Sequence, residues 1–357
     1  MPRKNRNKKK RPVPSQSRNF FSGAGRGCHI VRINDDDHAD TIHEDGNDGK
    51  NHRSNILEWD TEIYAEDFEG QEIPDIAMDP ENNTLTLCNV TETINVAYIT
   101  IYEVDCFGKD GRKFESGISV DNEGNSFSCL TFIVLSPPMT FCTLCHVDVD
   151  DISRVRIESD VQEWKQHPNP SLKHGAPLEG FPLEGGPFLC TQGVGGHLTH
   201  YFSGNLHAID FRCAIGTSLL AVEDGIVMEA HDGNICSGIG VSNMFKWNSI
   251  LIRHEDVDNK ILFFTEYVHI QSSHVQKGDR VQRGDKIGLS GSVGFSPEPH
   301  LHFAVYQSDQ ADAVTVGFLF KGTDGIDYQP EAGKLYSAVG PTKVKEEHSL
   351  PIPLVYI

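Results

Sequence analysis

From residue 56 onward, apolar residues come in short runs rich in Val, Ile, Thr, Tyr and Phe. Gly, Asn, Asp or Pro cuts each run before a period of 3.6 can establish itself. TLTLCNV, INVAYITIYEV, SFSCLTFIVL and RVRIESD fall within residues 56–166, and NSILIRHE, KILFFTEYVHI and LHFAVY within residues 188–340. β-branched and aromatic side chains suit a pleated, half-buried surface. The pattern predicts an all-β chain, with a small sandwich-like module over 56–166 and an antiparallel sheet or open barrel over 188–340. Residues 167–187 carry five prolines and four glycines. Such a stretch sustains neither a helix nor a central strand, and it is expected to be a linker. Asp224-Gly225 between two apolar runs signals a hairpin, and Gly278-Asp279 and Gly284-Asp285 repeat a turn. Residues 1–55 have few apolar positions and are expected to be a disordered tail, with a second tail at 341–357.

Charge and cysteine usage exclude some roles. Lys and Arg number 31 against 51 Asp and Glu, for a net charge of −20. An acidic surface repels a polyanion, so the folded domains are not expected to bind nucleic acid. Residues 3–11 are basic, which fits a solvated tail or a nuclear-import signal. There is no run of about 18 apolar residues to span a membrane. The first residues, MPRKNRNKKKRPVP, lack the apolar core of a secretory signal, so the default expectation is cytoplasmic. Nine cysteines without a tight framework argue against a disulfide scaffold. The one C-x-x-C pair, Cys142 and Cys145, lies in a strand-like segment and is expected to be two buried thiols.

The chemistry concentrates in three places. In PHLHFAVY, His300 and His302 are two apart, so on a strand both imidazoles project from one face while Leu301 turns into the other layer. Neutral imidazole nitrogen suits Zn²⁺. In HLTHYFSGNLHAIDF (197–211), Ser203-Gly204-Asn205 forms a turn between two strand-like arms. A three-residue loop sets His200 opposite Ala208 and diagonal to Asp210, while His207 faces the other way. A two-residue loop would reverse His200, so His200 and His207 both stand as candidates, His200 the preferred one. The third place is EYVH, where His269 ends an apolar strand.

Together these segments resemble the lysostaphin/LytM family of zinc endopeptidases. THYFSGNLHAIDF, IGTSLLAVEDGIV, WNSILIRHE, EYVHI and VQKGDRVQRGDKIGLSGSVGFSPEPHLHFAV stand in the family's order across residues 188–340. The resemblance implies a sheet with duplicated hybrid-motif character and one zinc ion on His200, Asp210 and His302. It gives His269 and His300 the catalytic roles and makes the substrate a peptidoglycan-like or glycine-rich peptide. Two departures bear on the site. Leu206 occupies the position, four before the aspartate, where better-known members carry the first ligand, and Ser292-Val293 replaces the usual Asn-Thr. The competing expectation is a catalytically silent LytM-like binding or regulatory module. A lipoyl-carrier-like domain fits less well, because Asp224-Gly225 offers no hairpin-tip lysine. The residues of the 56–166 module express no chemistry, and a protein partner bound through it is an expectation from position alone.

Overall fold

The computed structural model describes residues 75–164, 171, 176–196, 198–200, 202, 204–310, 312–345 and 354–356. The expected 1–55 tail, the start of the 56–166 module, His197 and Ser203 lie outside them. Among the described residues the secondary structure is strand, apart from two three-residue 3₁₀ turns at Ile152–Arg154 and Val241–Asn243. No helix there is long and apolar enough to cross a membrane.

The N-terminal module is a sandwich. One sheet pairs Asp75–Asp79, Thr84–Asn89, Thr140–Val147 and Cys106–Phe107 in that spatial order. The other is built on Gly117–Val120, Ser126–Ser136, Asn95–Tyr102 and Arg156–Glu163. Every residue of Asn95–Tyr102 is buried, an unusual outcome for a sandwich strand, and alternation explains it. Ala97, Ile99 and Ile101 face the sandwich interior with Leu85, Phe132 and Val134. Val96, Tyr98 and Tyr102 face the C-terminal half, where they meet Phe202, Ile239, Val241, Met244 and Phe295. Described cysteines, including Cys145, are buried free thiols; the Cys142 side chain is outside the description.

The C-terminal half is built on a nine-stranded antiparallel sheet, with a separate three-stranded sheet of Ser218–Leu220, Lys286–Leu289 and Ser272–Ser273. In spatial order the large sheet runs Arg280–Val281, Gly225–His231, Ser249–Glu255, Ile261–Val268, His300–Tyr306, Ile209–Arg212, Phe188–Gln192, Lys334–Ser337, Gly340–Lys345. Its main core collects Ile209, Phe211, Ile250, Tyr267, Leu301 and Phe303. Two boundaries differ from expectation. In the 167–187 stretch, Leu178, Phe181 and Leu183 are buried in this core, and Leu178 bridges to Phe320. Proline and glycine forbid a helix there but not an extended strap that buries its apolar side chains. In the expected C-terminal tail, Gly340–Lys345 extends the large sheet, and Leu354–Tyr356 pairs with Thr131, Phe132 and Ile133. Short edge strands carry too few apolar positions to stand out by pattern.

The two halves share a sheet. Ser237 and Gly238 pair with Val120 and Ser119. The Thr131 hydroxyl donates to the Ile239 carbonyl at 2.6 Å, and the Val241 N–H donates to Thr100 Oγ1 at 3.0 Å. The buried Asn243 amide donates to Ser119 Oγ and to the carbonyls of Val120 and Ser237. Gly238 is what permits this approach: its φ is +91°, and a Cβ there would stand 2.1 Å from the Ile118 carbonyl oxygen. Gly238→Ala is therefore expected to destabilise the protein by roughly 1–3 kcal/mol through backbone strain alone. Chemical denaturation of the full chain measures this, and an unchanged midpoint would contradict the shared sheet.

Candidate metal centre

Strand register assembles half of the site. Ile209–Arg212 runs antiparallel to His300–Tyr306 with Asp210 opposite His302 and Arg212 opposite His300. Ile209, Phe211, Leu301 and Phe303 fill the core on one face, so Asp210, His300 and His302 project together from the other. Val268 pairs with His302 from the far side. His269 follows directly, with a φ of 63°, a left-handed conformation that costs a non-glycine residue about 1–2 kcal/mol.

His200 arrives by a different route from the expected hairpin. The described residues between 198 and 207 form turns rather than strand arms: the His200 N–H donates to the Gly196 carbonyl at 3.1 Å, and the Leu206 N–H to the Phe202 carbonyl at 2.6 Å. Alternation along a strand therefore does not apply to them, because these backbone hydrogen bonds close turns instead of pairing with a neighbouring strand. The fully buried His200 ring is still carried over Asp210. Its Nδ1 lies 2.8 Å from the Gly193 carbonyl oxygen. A carbonyl only accepts, so Nδ1 carries the hydrogen and Nε2 presents a lone pair.

That nitrogen completes a triangle. His200 Nε2 is 3.4 Å from Asp210 Oδ1 and 3.3 Å from His302 Nδ1, and His302 Nδ1 is 2.9 Å from Asp210 Oδ1. Donor atoms about 2.1 Å from a tetrahedral zinc stand about 3.4 Å apart, so the triangle fits one such ion. Among the described residues this is the one three-residue group with suitable donors. His207 is not part of it. Its Nδ1 lies 3.0 Å from the Thr315 carbonyl oxygen, and burial lowers its pKa.

His269 and His300 flank the triangle, their ring centres 4.5 Å apart. His269 Nδ1 lies 2.7 Å from the Val293 carbonyl oxygen, and His300 Nδ1 lies 2.7 Å from that of Glu298. Both rings thus carry the Nδ1 hydrogen and keep Nε2 as the lone-pair nitrogen. His300 Nε2 is 3.8 Å from Asp210 Oδ1. Burial holds the pKa of His269 well below the ordinary imidazole value and lowers that of His302. At Asp210 burial acts upward, but electrostatic attraction to the His200 and His300 imidazoles and the close contacts with His200 and His302 outweigh it, leaving its pKa well below the ordinary carboxylate value. Pairing with Asp210 opposes the downward shift of His302, and burial prevails. An ionised Asp210 beside a neutral His302 is the combination a divalent cation requires.

Two supporting residues are silent in the sequence. The buried Gln192 amide donates to Asp210 Oδ2 at 2.7 Å, and its carbonyl oxygen accepts the N–H groups of Leu198 and Thr199. Gly196 leaves room for this, since a Cβ there would be 2.1 Å from Gln192 Cγ. Arg212 Nε sits 2.7 Å from Glu298 Oε2, beside His300. Gln192 stands opposite Asp210 across the strand pair, beside a register shift between Asp210 and Phe211 that no residue pattern signals. Two cavities, of about 50 and 160 Å³, share Leu198, Asp210, Pro297 and His300 as walls. The smaller continues along Tyr98, Trp247 and Phe295, the larger along Thr191, Gln192 and Glu298.

Residues 204–314 match the model of peptidase family M23, and this segment carries Asp210, His269, His300 and His302. His200 lies outside the matched residues. The chain is 38% identical over 98 residues to an uncharacterized metalloprotease of Buchnera aphidicola, covering 28% of this chain and 22% of that one. It is 35% identical over 100 residues to the glycyl-glycine endopeptidase ALE-1 of Staphylococcus capitis, covering 28% of this chain and 24% of the relative. The match thus spans about a quarter of the length of these relatives. The catalytic domain of the antimicrobial peptidase lysostaphin from Staphylococcus simulans aligns at 28% identity with a TM-score of 0.25, covering 40% of this chain and 86% of that one.

If Gln192 orients Asp210, Gln192→Leu should weaken metal binding about 10- to 100-fold, the usual cost of losing such a partner. Chelator competition with the full chain measures it; wild-type affinity in the variant would exclude the role.

Proposed function

We propose that this chain, with its lysostaphin/LytM-type segment, is a zinc-dependent endopeptidase. The observation that supports it most is the triangle of His200, Asp210 and His302, with lone-pair nitrogens of two further histidines beside it. Bound on that triangle, zinc supplies the Lewis acidity that lowers the pKa of water and polarises a carbonyl. Three protein donors leave a coordination position for chemistry, as catalytic zinc sites require. Asp210 and the neutral imidazoles supply the donors, and Gln192 and the Gly193 carbonyl hold two of them in orientation.

The remaining work falls to His269 and His300. Each donates its Nδ1 hydrogen to a backbone carbonyl, so each ring is fixed in direction and its Nε2 can accept a proton. One can take a proton from the attacking water and later return it to the leaving amine, while the other, once protonated, stabilises developing negative charge. Burial favours the neutral form of His269, so its Nε2 lone pair is free at the outset. Two cavities share Asp210 and His300 as walls, which suits a peptide laid against the centre. The substrate proposed from the relatives is a glycine-rich or peptidoglycan-like peptide. The silent-module alternative has lost ligands as its premise, and here all three donors and both helper histidines are present.

Purified full-length protein should contain about one zinc per chain by elemental analysis, and a chelator should abolish cleavage of glycyl peptides or peptidoglycan. Asp210→Ala and His302→Ala should lose the metal. His300→Ala should keep it and lose turnover by roughly 10²–10⁴-fold, the usual span for a general acid–base group. Wild-type protein without zinc, or chelator-insensitive cleavage, would exclude this function.

A further inference from the structure

Asp210, His300 and His302 are held by sheet register. His200 is the one donor of the triangle that comes from a turn, so something else must fix its position. Three side chains grip that turn. Gln192 accepts the Leu198 and Thr199 N–H groups at 2.8 and 3.1 Å. The Tyr306 hydroxyl donates to the Gly204 carbonyl at 3.0 Å. The third belongs to the N-terminal module: the Tyr98 hydroxyl donates to the Leu198 carbonyl at 2.9 Å, across 100 residues of sequence.

The Leu198 backbone is thus tied at its N–H by Gln192 and at its carbonyl by Tyr98, two residues before the ligand. Tyr98 is fully buried. Its ring packs edge-on against Phe295 at 5.9 Å, and Leu198 and Phe202 lie in the same apolar cluster as Val96, Tyr98 and Ile133. The strand beneath it cannot drift independently, because the sheet it belongs to is completed by Ser237–Gly238 from the C-terminal half. Tyr98 also walls the smaller cavity at the centre. A module tethered only through a linker would reach neither the turn nor the cavity.

We propose that the N-terminal β-module is a clamp for the metal centre, and that Tyr98, through its hydrogen bond to the Leu198 carbonyl, is a positioning residue for the ligand His200. This rests on the assignment of His200 as a zinc ligand. The module then has a physical role within the chain: it lowers the freedom of the one donor that the sheet does not hold. Removing the hydroxyl while keeping the ring lets the Leu198 peptide rotate and takes His200 off the triangle part of the time. Metal affinity falls, while the other two donors stay in place.

The test uses the full-length chain and zinc alone, with affinity read by competition against a chromophoric chelator. Tyr98→Phe should weaken zinc binding roughly 3- to 10-fold, the change expected from losing one net hydrogen bond. Tyr102→Phe is the control. It lies on the same strand and in the same cluster, but its hydroxyl bonds Glu158 and Ser242 instead of the Leu198 carbonyl; its affinity should stay at the wild-type value. His200→Ala is measured alongside and should lose the metal. Wild-type affinity in Tyr98→Phe, or equal weakening in Tyr98→Phe and Tyr102→Phe, would overturn the clamp. Wild-type affinity in His200→Ala would instead overturn the ligand assignment on which the clamp rests.

Discussion

Asp210 and His302 face each other across two central strands, and the rest of the site is arranged around that pairing. The pairing is fixed from behind. Ile209 and Phe211 on one strand and Leu301 and Phe303 on the other are buried in the main core. Slipping either strand by one residue would turn a charged aspartate or two imidazoles into the apolar core and take those apolar side chains out of it. The hydrophobic effect thus sets a register, and the register brings a carboxylate oxygen and an imidazole nitrogen to 2.9 Å. Burial then holds His302 neutral, the state in which it can ligate.

Backbone carbonyls do the next part of the work. His200, His269 and His300 each present Nδ1 to a carbonyl oxygen, those of Gly193, Val293 and Glu298. Each contact fixes one tautomer and one ring direction, leaving Nε2 for chemistry. The cost is visible at His269, which adopts a left-handed backbone immediately after a strand. Strain of that kind persists only where surrounding structure over-determines it. Here Val268 is paired with His302 on one side, and the His269 ring is bonded to Val293 on the other.

Much of this was legible in the sequence, and for definable reasons. Short runs rich in β-branched and aromatic residues, cut by Gly, Asn, Asp and Pro, revealed the all-β class. Strand alternation put His300 and His302 on one face and Leu301 on the other. The rule failed where no strand forms. His200 was brought toward Asp210 by an imagined hairpin, whereas coiled turns carry it there, and nothing in HLTHYFSG distinguishes the two. Gln192 and Tyr98 carried no signal, since each acts through hydrogen bonds whose partners only the folded strands and turns bring within reach. Composition does not show the path of residues 176–187, because proline and glycine content reports what a segment cannot be. Its buried Leu178, Phe181 and Leu183 report where it goes.

The central claim is that His200, Asp210 and His302 bind a single zinc ion. X-ray absorption at the zinc edge of the zinc-loaded full-length protein tests it most directly. The account predicts a nitrogen and oxygen shell at about 2.0–2.2 Å, with outer-shell scattering from two imidazoles and no sulfur. A sulfur shell at about 2.3 Å, or scattering from fewer than two imidazoles, would contradict it.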